Sequence, residues 1–289
     1  MTSVFAPAKL NLYLHVIGRR ADGFHLLDSL VAFANIGDEI AVTSAAELSL
    51  TVDGPFARDL AGDPRGNLVW RAAVLLAERL GRRADVAIRL TKNLPVASGI
   101  GGGSSDAAAC LKALAALWRC DDQALLLSIG AALGSDVPSC LAARPVWLGG
   151  VGERVDEAGA LPPCFVVLAN PGIALPTVSV YRAFKGPYSP ASRFPISSDV
   201  VSFARNLAER NSDLTGTAIA LVPEIGVVLK RVARLDGVLL PRMSGSGATC
   251  FALFPTWTEA AVAARQLRAE RPDWWVGAAA LSSGFGLSV

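Results

Sequence analysis

The sequence has few of the residues from which metal cages and disulfide frameworks are built. Its two histidines, His15 and His25, show no H-x-x-H spacing, so we predict no histidine metal site. There is no C-x-x-C pair, and the cysteines are odd in number and scattered among apolar residues: Cys110, Cys120, Cys140, Cys164 and Cys250. This pattern indicates reduced thiols in the core rather than disulfides or zinc ligands.

Neither sign of charge is in excess. The 27 Lys and Arg residues nearly balance the 25 Asp and Glu residues, which leaves a net charge of +2 without any basic block. We therefore predict no nucleic-acid partner and no anionic membrane surface. Hydrophobic residues make up 52% and charged residues 18% of the 289 positions, a composition typical of a folded chain with room for two domains.

Long uninterrupted hydrophobic runs are also lacking. Lys9, Asn11 and His15 interrupt the first 17 residues where a signal peptide needs an apolar core, which predicts a cytoplasmic protein. The longest uncharged stretch, residues 158–181, contains four prolines and therefore does not predict a membrane helix: Pro162, Pro163, Pro171 and Pro176.

Hydrophobic periodicity predicts a mixed α/β (α+β) chain. Alternating or β-branched segments predict strands at 9–17, 29–34, 39–43, 47–52, 84–90, 146–148, 250–254 and 275–281, with a turn at 36–38. Helical spacing after Asn67, a capping residue, predicts a helix that ends at Gly81. The composition changes between residues 157 and 163, so we predict two domains, 1–158 and 159–289.

A glycine-rich loop lies between a predicted strand and a predicted helix, as phosphate-binding loops do. It consists of Pro95, Val96, Ala97, Ser98, Gly99, Ile100, Gly101, Gly102, Gly103, Ser104 and Ser105. Its glycines let backbone N–H groups point toward one anion, and the two serines offer hydroxyl donors or a Mg²⁺ ligand. The alternative is a flexible turn before a helix capped by Ser104. No Walker, dinucleotide or protein-kinase motif is present, and Asp106 is at most an adjunct of the site.

Lys9 and Asp136 are the candidate catalytic residues, and each also fits a purely structural role. Asp136 precedes Val137-Pro138, so it fits a helix cap as well as a general base. Lys9 shares a strand face with Asn11, which fits a solvent-facing pair as well as a site. A second glycine cluster, residues 243–248, fits a tight hairpin as well as a ligand loop.

Three segments together resemble the motifs of the GHMP kinase family: residues 7–12, residues 94–108 and residues 243–248. The resemblance implies a two-domain GHMP kinase fold. Its N-terminal α/β domain contains a left-handed βαβ unit, its C-terminal domain is ferredoxin-like α+β, and the active site lies in the cleft between them. It also implies ATP and Mg²⁺ as cofactors, with Asp136 as the general base and Lys9 as the assisting cation. The loop 95–105 then wraps the triphosphate, and Asn67 contacts the adenosine half.

Residues 20–25 and 134–138 are similar to one branch of that family. That branch phosphorylates the 2-hydroxyl of a cytidine-diphosphate-linked methylerythritol in non-mevalonate isoprenoid precursor biosynthesis. The resemblance implies that Asn11 and Thr177 contact this small-molecule substrate, that His25 hydrogen-bonds the cytosine edge, and that Phe24 and Tyr181 stack on the ring. It also implies a monomer or weak homodimer.

Three other functions remain as alternatives. A decarboxylase of the same family would use an Asp and the same glycine loop, and product analysis distinguishes it. Another GHMP kinase, of the homoserine or mevalonate type, would use the same Lys9, Asp136 and glycine loop but would not need an aromatic base pocket. A non-enzymatic RNA-binding module is the alternative from another class, and the net charge of +2 with dispersed arginines does not favour it.

Overall fold

The computed structural model describes residues 1–282 and 284, which form one mixed sheet with helices packed on it. The strands are β1 (Thr2–Arg19), β2 (His25–Ser44), β3 (Ser49–Asp53), β4 (Val86–Thr91), β5 (Val146–Gly149), β6 (Arg154–Glu157), β7 (Phe165–Asn170), β8 (Leu240–Met243), β9 (Cys250–Phe254) and β10 (Trp275–Ser282). The helices are α1 (Leu68–Arg79), α2 (Gly102–Trp118), α3 (Gln123–Leu133), α4 (Val137–Ala142), α5 (Thr177–Ala183), α6 (Val200–Ala208), α7 (Thr215–Leu221), α8 (Glu224–Val232) and α9 (Trp257–Glu270).

The N-terminal half is built on the long antiparallel pair β1 and β2, to which β4 and β5 add antiparallel and β3 adds parallel to β4. The turn predicted at 36–38 is wrong, because β2 continues through these residues and its register with β1 shifts between Pro7 and Ala8. At Gly37 the backbones of β1 and β2 approach closely, and a Cβ there would lie 2.2 Å from the Ala6 carbonyl oxygen. Glycine is therefore required for this approach and not for a turn.

The two helices beside the glycine-rich loop begin differently. Asn67 caps α1 as predicted, because its Oδ1 accepts a hydrogen bond from the Val69 N–H at 2.9 Å, and Gly81 follows the helix with φ +63°. The expectation that Ser104 caps α2 is wrong, since α2 begins at Gly102 and Gly101 occupies the cap position with φ +63°. Glycine is preferred there because a left-handed cap disfavours a Cβ.

The C-terminal half confirms the predicted ferredoxin-like α+β architecture. Strands β10, β7, β9 and β8 lie side by side in that order and are antiparallel throughout, while helices connect β7 to β8 and β9 to β10. Leu281 and Ser282 of β10 also pair with β2, so the sheet continues from one half into the other. The left-handed crossover and the boundary at 158/159 remain predictions.

Three hydrophobic clusters form the core. One packs α1, α2 and α3 on the N-terminal sheet, one packs α8 and α9 on the C-terminal sheet, and the third takes residues from both halves. The five cysteines are free thiols, and four of them are buried. Among the helices of the described residues, none combines the length and the apolar character needed to cross a bilayer.

Candidate active site

One cavity of about 570 Å³ lies where the glycine-rich loop meets the C-terminal half, a volume suited to small ligands. Most of the predicted site residues line it: Lys9, Asn11, Asn67, Pro95, Val96, Ala97, Ser98, Gly99, Gly101, Gly102, Gly103, Ser104, Asp136, Thr177 and Tyr181. The fold therefore brings together residues that lie more than 170 positions apart in the chain.

Lys9 and Asp136 form an ion pair at the wall of this cavity. The Nζ of Lys9 lies 2.8 Å from Oδ2 of Asp136, and the two side chains are 4% and 37% exposed respectively. Lys9 is thus not the solvent-facing residue that the alternating pattern also allowed. Asp136 does begin α4, but within residues 1–282 its carboxylate makes no capping hydrogen bond, so its oxygens are directed to Lys9 and the cavity.

The glycine-rich loop is held by the C-terminal half through its carbonyl groups. The carbonyl oxygens of Ala97, Ser98 and Gly99 accept hydrogen bonds from the Leu175 N–H, the Thr249 N–H and the Ser244 hydroxyl at 3.0–3.1 Å. The loop's carbonyls are therefore turned away from the cavity. No side chain of the described residues caps α2, which leaves the N–H groups of its first turn free for an anion.

Two residues of the predicted loop do not line the cavity. Ile100 is fully buried in the shared core cluster, and its carbonyl accepts a hydrogen bond from the Lys9 N–H at 2.9 Å. Ser105 is also buried and donates its hydroxyl to the Pro7 carbonyl at 2.6 Å. Both residues join the loop to β1, so they act on the position of Lys9 rather than as walls of the cavity.

The two asparagines predicted for the site are fixed by hydrogen bonds. Asn11 donates its side-chain amide to the Ser29 hydroxyl at 2.8 Å and its backbone N–H to the Ser244 hydroxyl at 3.1 Å. Asn67 lines the cavity while it caps α1. Asn11 therefore links β1 to the second glycine cluster.

The predicted base-binding residues divide into two groups. Thr177 and Tyr181 line the cavity, and the Thr177 hydroxyl lies 3.0 Å from that of Ser246. His25 lies behind Tyr181, with ring centroids 5.4 Å apart. Phe24 is 62% exposed and does not line the cavity, so its stacking on a base stays a prediction.

Burial shifts two pKa values at this end of the cavity. Desolvation, together with the nearby Arg19, lowers the pKa of His25, which favours the neutral imidazole. Desolvation, with the charge of Asp136, raises the pKa of the Tyr181 phenol, which keeps it protonated. His25 also contacts the edge of Phe184, at a centroid distance of 5.8 Å.

Of the further cavity residues, Lys92 has no predicted role, Asp106 is predicted only as an adjunct of the site, and the second glycine cluster is predicted as either a hairpin or a ligand loop. Gly245 and Ser246 of the second glycine cluster line the cavity, as do Lys92 and Asp106. Lys92 lies three residues before the loop, and that position is the one signal that marks it in the sequence. Its acidic partner Asp38 lies in β2, more than 50 residues earlier, where no local pattern relates the two.

Comparison with known proteins identifies the family of this chain. The family model described as the GHMP kinases N terminal domain matches residues 67–144, and the GHMP kinases C terminal model matches residues 196–273. The chain belongs to the GHMP kinase family, which makes ATP its cosubstrate.

Its relatives within the family are more specific. A protein of Paramagnetospirillum magneticum named 4-diphosphocytidyl-2-C-methyl-D-erythritol kinase is 50% identical over 97% of this chain and 99% of its own. A protein of the same name from Cereibacter sphaeroides is 48% identical over 96% and 98% of the two chains.

Solved structures give the same result. A crystal structure of 4-(cytidine 5'-diphospho)-2C-methyl-D-erythritol kinase matches with a TM-score of 0.79 and 36% identity, and covers 98% of this chain and 100% of its own. A homoserine kinase from Cytophaga hutchinsonii matches with a TM-score of 0.75 at 18% identity, over 98% of this chain and 95% of its own, a likeness of fold alone.

Proposed function

We propose that this kinase transfers the γ-phosphoryl group of ATP to the 2-hydroxyl of 4-(cytidine 5'-diphospho)-2-C-methyl-D-erythritol, a step of non-mevalonate isoprenoid precursor biosynthesis. The observation that carries the proposal is the Lys9–Asp136 ion pair, which opens into the cavity that also holds the glycine-rich loop and Tyr181. The names of the full-length relatives supply the substrate.

Asp136 is suited to take the proton of the attacking hydroxyl. Its carboxylate is partly exposed in the cavity, within reach of a bound alcohol, while the buried ammonium of Lys9 fixes its orientation. Lys9 also stabilises the negative charge that develops on the hydroxyl oxygen. The loop places the triphosphate at the start of α2, where free N–H groups and the helix dipole favour anions.

The donor set also fits Mg²⁺ carried in with the nucleotide. Mg²⁺ is commonly held by few protein groups together with phosphate oxygens, and among the described residues no three His, Cys, Asp or Glu side chains form a cage for it. Ser104, which lines the cavity, would hold it, whereas the Ser105 hydroxyl is bonded to the Pro7 carbonyl. When bound, the ion neutralises charge on the transferring phosphoryl group.

Tyr181, with His25 behind it, gives the acceptor site an aromatic wall that a cytosine ring fits by stacking. His25 as the partner of the cytosine edge, Phe24 as the second stacking ring, and Asn11 and Thr177 as substrate contacts belong to this proposal. We further propose a cytoplasmic enzyme that is a monomer or weak homodimer.

The test is a substrate comparison with the purified chain. Mg-ATP is supplied with the cytidyl alcohol, homoserine or mevalonate in turn, ADP release is followed, and the phosphorylated position is read by ³¹P–¹H NMR. The proposal expects turnover with the cytidyl alcohol alone and phosphate on its 2-hydroxyl. Turnover with another alcohol only would keep the roles of Lys9 and Asp136 and overturn the substrate. Absence of turnover with all three alcohols would overturn the proposed kinase activity.

A further inference from the structure

A buried ion cluster lies beneath the glycine-rich loop, and the phosphoryl-transfer chemistry described above does not use it. The Nζ of Lys92 donates to Oδ2 of Asp38 at 2.5 Å and to Oδ2 of Asp106 at 2.7 Å. All three side chains are at most 3% exposed. Burial lowers the pKa of Lys92, but Asp106 and Asp38 outweigh that effect and raise the pKa above its ordinary value, so the ammonium stays charged.

The cluster is connected to both ends of the loop. Oδ1 of Asp38 accepts the N–H groups of Asn93 and Leu94, at 2.6 and 2.8 Å, immediately before the loop begins at Pro95. Asp106 lies in α2, just after the loop ends. One set of charges therefore fixes where the chain enters the loop and where it leaves it.

The cluster also borders the cavity. Lys92 and Asp106 line it, and a Cβ built on Gly102 would lie 3.1 Å from the Lys92 Nζ, so the ammonium supports the backbone that starts α2. Two of the three ammonium N–H groups are used by the carboxylates. Oδ1 of Asp106 is buried and has no hydrogen-bond partner within the described part of the chain.

We propose that Asp38, Lys92 and Asp106 are positioning residues for the nucleotide. They hold the entrance of the glycine-rich loop and the first turn of α2 in the curvature that receives the ATP phosphates. The proposal deepens the proposed function and rests on it in placing the ATP phosphates at this loop. It adds three buried residues that act through the loop backbone without entering the phosphoryl-transfer step.

The two carboxylates respond differently to amide replacement. At position 38 one carboxylate oxygen faces two backbone donors and the other faces the ammonium, so the NH₂ group of an asparagine always meets a donor. At position 106 only one oxygen has a donor, so an asparagine turns its oxygen to Lys92 and its NH₂ toward the unpartnered side. Asp106→Asn is therefore the conservative variant and Asp38→Asn is not.

The experiment measures ATP binding by titration calorimetry without the alcohol substrate, the KM of each substrate, and the thermal unfolding midpoint. We expect Asp38→Asn to raise the Kd for ATP about tenfold, the change that corresponds to one lost charge-assisted hydrogen bond. The KM for the alcohol should stay near that of the unmodified protein. Asp106→Ala should also weaken ATP binding, and Asp106→Asn should restore it.

Asp273→Asn is the matched control, because Asp273 pairs with Arg271 in an exposed ion pair between α9 and β10, and neither residue lines the cavity. It should leave ATP binding unchanged. Unchanged ATP binding in both Asp38→Asn and Asp106→Ala would overturn the proposal. So would equal losses for both substrates that follow a lowered unfolding midpoint, since that result reports stability alone. Weakened ATP binding in a protein that does not phosphorylate the cytidyl alcohol would support the positioning role and overturn the proposed function.

Discussion

At the scale of single residues, the pair of Lys9 and Asp136 combines a buried cation with a carboxylate that reaches the cavity. The backbone N–H of Lys9 donates to the Ile100 carbonyl, which joins β1 to the glycine-rich loop, and the side-chain ammonium pairs with Asp136. Asp136 occupies the N-cap position of the short helix α4 and lines the cavity. A substrate hydroxyl placed there would meet an acceptor for its proton and a positive charge together.

Replacement of Asp136 by asparagine tests the general-base role. Asparagine keeps the size of the side chain but does not accept the proton, so kcat should fall by about 10²–10⁴-fold, while the Kd for ATP changes little. Steady-state kinetics and calorimetry measure the two effects. Asp121→Asn, at an exposed position before α3, is the control. Unchanged turnover in Asp136→Asn would remove this residue from the mechanism.

The lowered pKa of His25 predicts a pH dependence for the alcohol substrate. Because desolvation and Arg19 disfavour the imidazolium, His25 stays neutral at pH 7 and gains its proton only below the ordinary value of about 6.5. The KM for the cytidyl alcohol should therefore be constant from pH 8 to about 6.5 and rise below it. Kinetics in His25→Gln should show a higher KM without that rise. An identical acid limb in the variant would assign the effect to another group.

At the scale of elements, the glycine-rich loop depends on the C-terminal half as much as on its own strand and helix. A Cβ on Gly99 would lie 2.6 Å from the carbonyl oxygens of both Gly247 and Ser244, so glycine is required where the two glycine segments meet. On Gly103, inside α2, the nearest atom to such a Cβ would be a Leu68 methyl at 3.8 Å. We therefore expect alanine to destabilise the protein at position 99 and to stabilise it at position 103.

We expect Gly99→Ala to weaken ATP binding and to lower the free energy of unfolding, because φ is +75° and the backbone contacts leave no room. Gly103→Ala should raise the free energy of unfolding by about 0.5–1 kcal/mol, the ordinary gain of alanine over glycine in a helix. Urea unfolding of both variants measures this difference. A stabilised Gly99→Ala protein would contradict the close packing of the two glycine segments.

Features that depend on neighbouring residues in the chain could be predicted from the sequence. The cap of α1, the glycine-rich loop and the strand that carries Lys9 depend on neighbouring residues, and each is found near its predicted place. The buried partners Asp38 and Lys92 lie 54 positions apart and give no such signal. The turn prediction at Gly37 is wrong because a close backbone approach and a turn both favour glycine.

The proline-rich stretch 186–195 shows the same limit. It has no regular secondary structure, so periodicity predicts nothing for it. The fold holds it on β1 and β2 by side chains: His15 hydrogen-bonds the Pro190 carbonyl at 2.9 Å, and Asp28 accepts the Ser192 N–H at 2.7 Å. These contacts join residues more than 160 positions apart, and they place Tyr188 against Phe184, the neighbour of His25.

At the scale of the whole molecule, the two halves share a sheet, a core and a cavity. Strand β10 pairs with both β2 and β7, and the third core cluster packs Leu10 and Tyr13 of β1 with Phe203 and Phe251 of the C-terminal half. The cavity takes Lys9 and Asp136 from one half and Thr177 and Tyr181 from the other. Separation of the halves would therefore expose apolar surface and divide the site.

Continuity of the core predicts that the chain unfolds as one cooperative unit, even though the boundary at 158/159 divides it into two predicted domains. Tryptophan fluorescence reports on both halves, because three of the six tryptophans lie in each. Its urea transition should therefore coincide with that of circular dichroism. Leu10→Ala, in the shared cluster, should lower the free energy of unfolding by about 2–5 kcal/mol. The midpoints of both signals should fall together. ATP at about 100 times its Kd should raise the free energy of unfolding by about 2.7 kcal/mol, as measured by both signals. Two separated transitions, or a shift of only one signal, would mean that the halves fold independently and that their shared cluster contributes little.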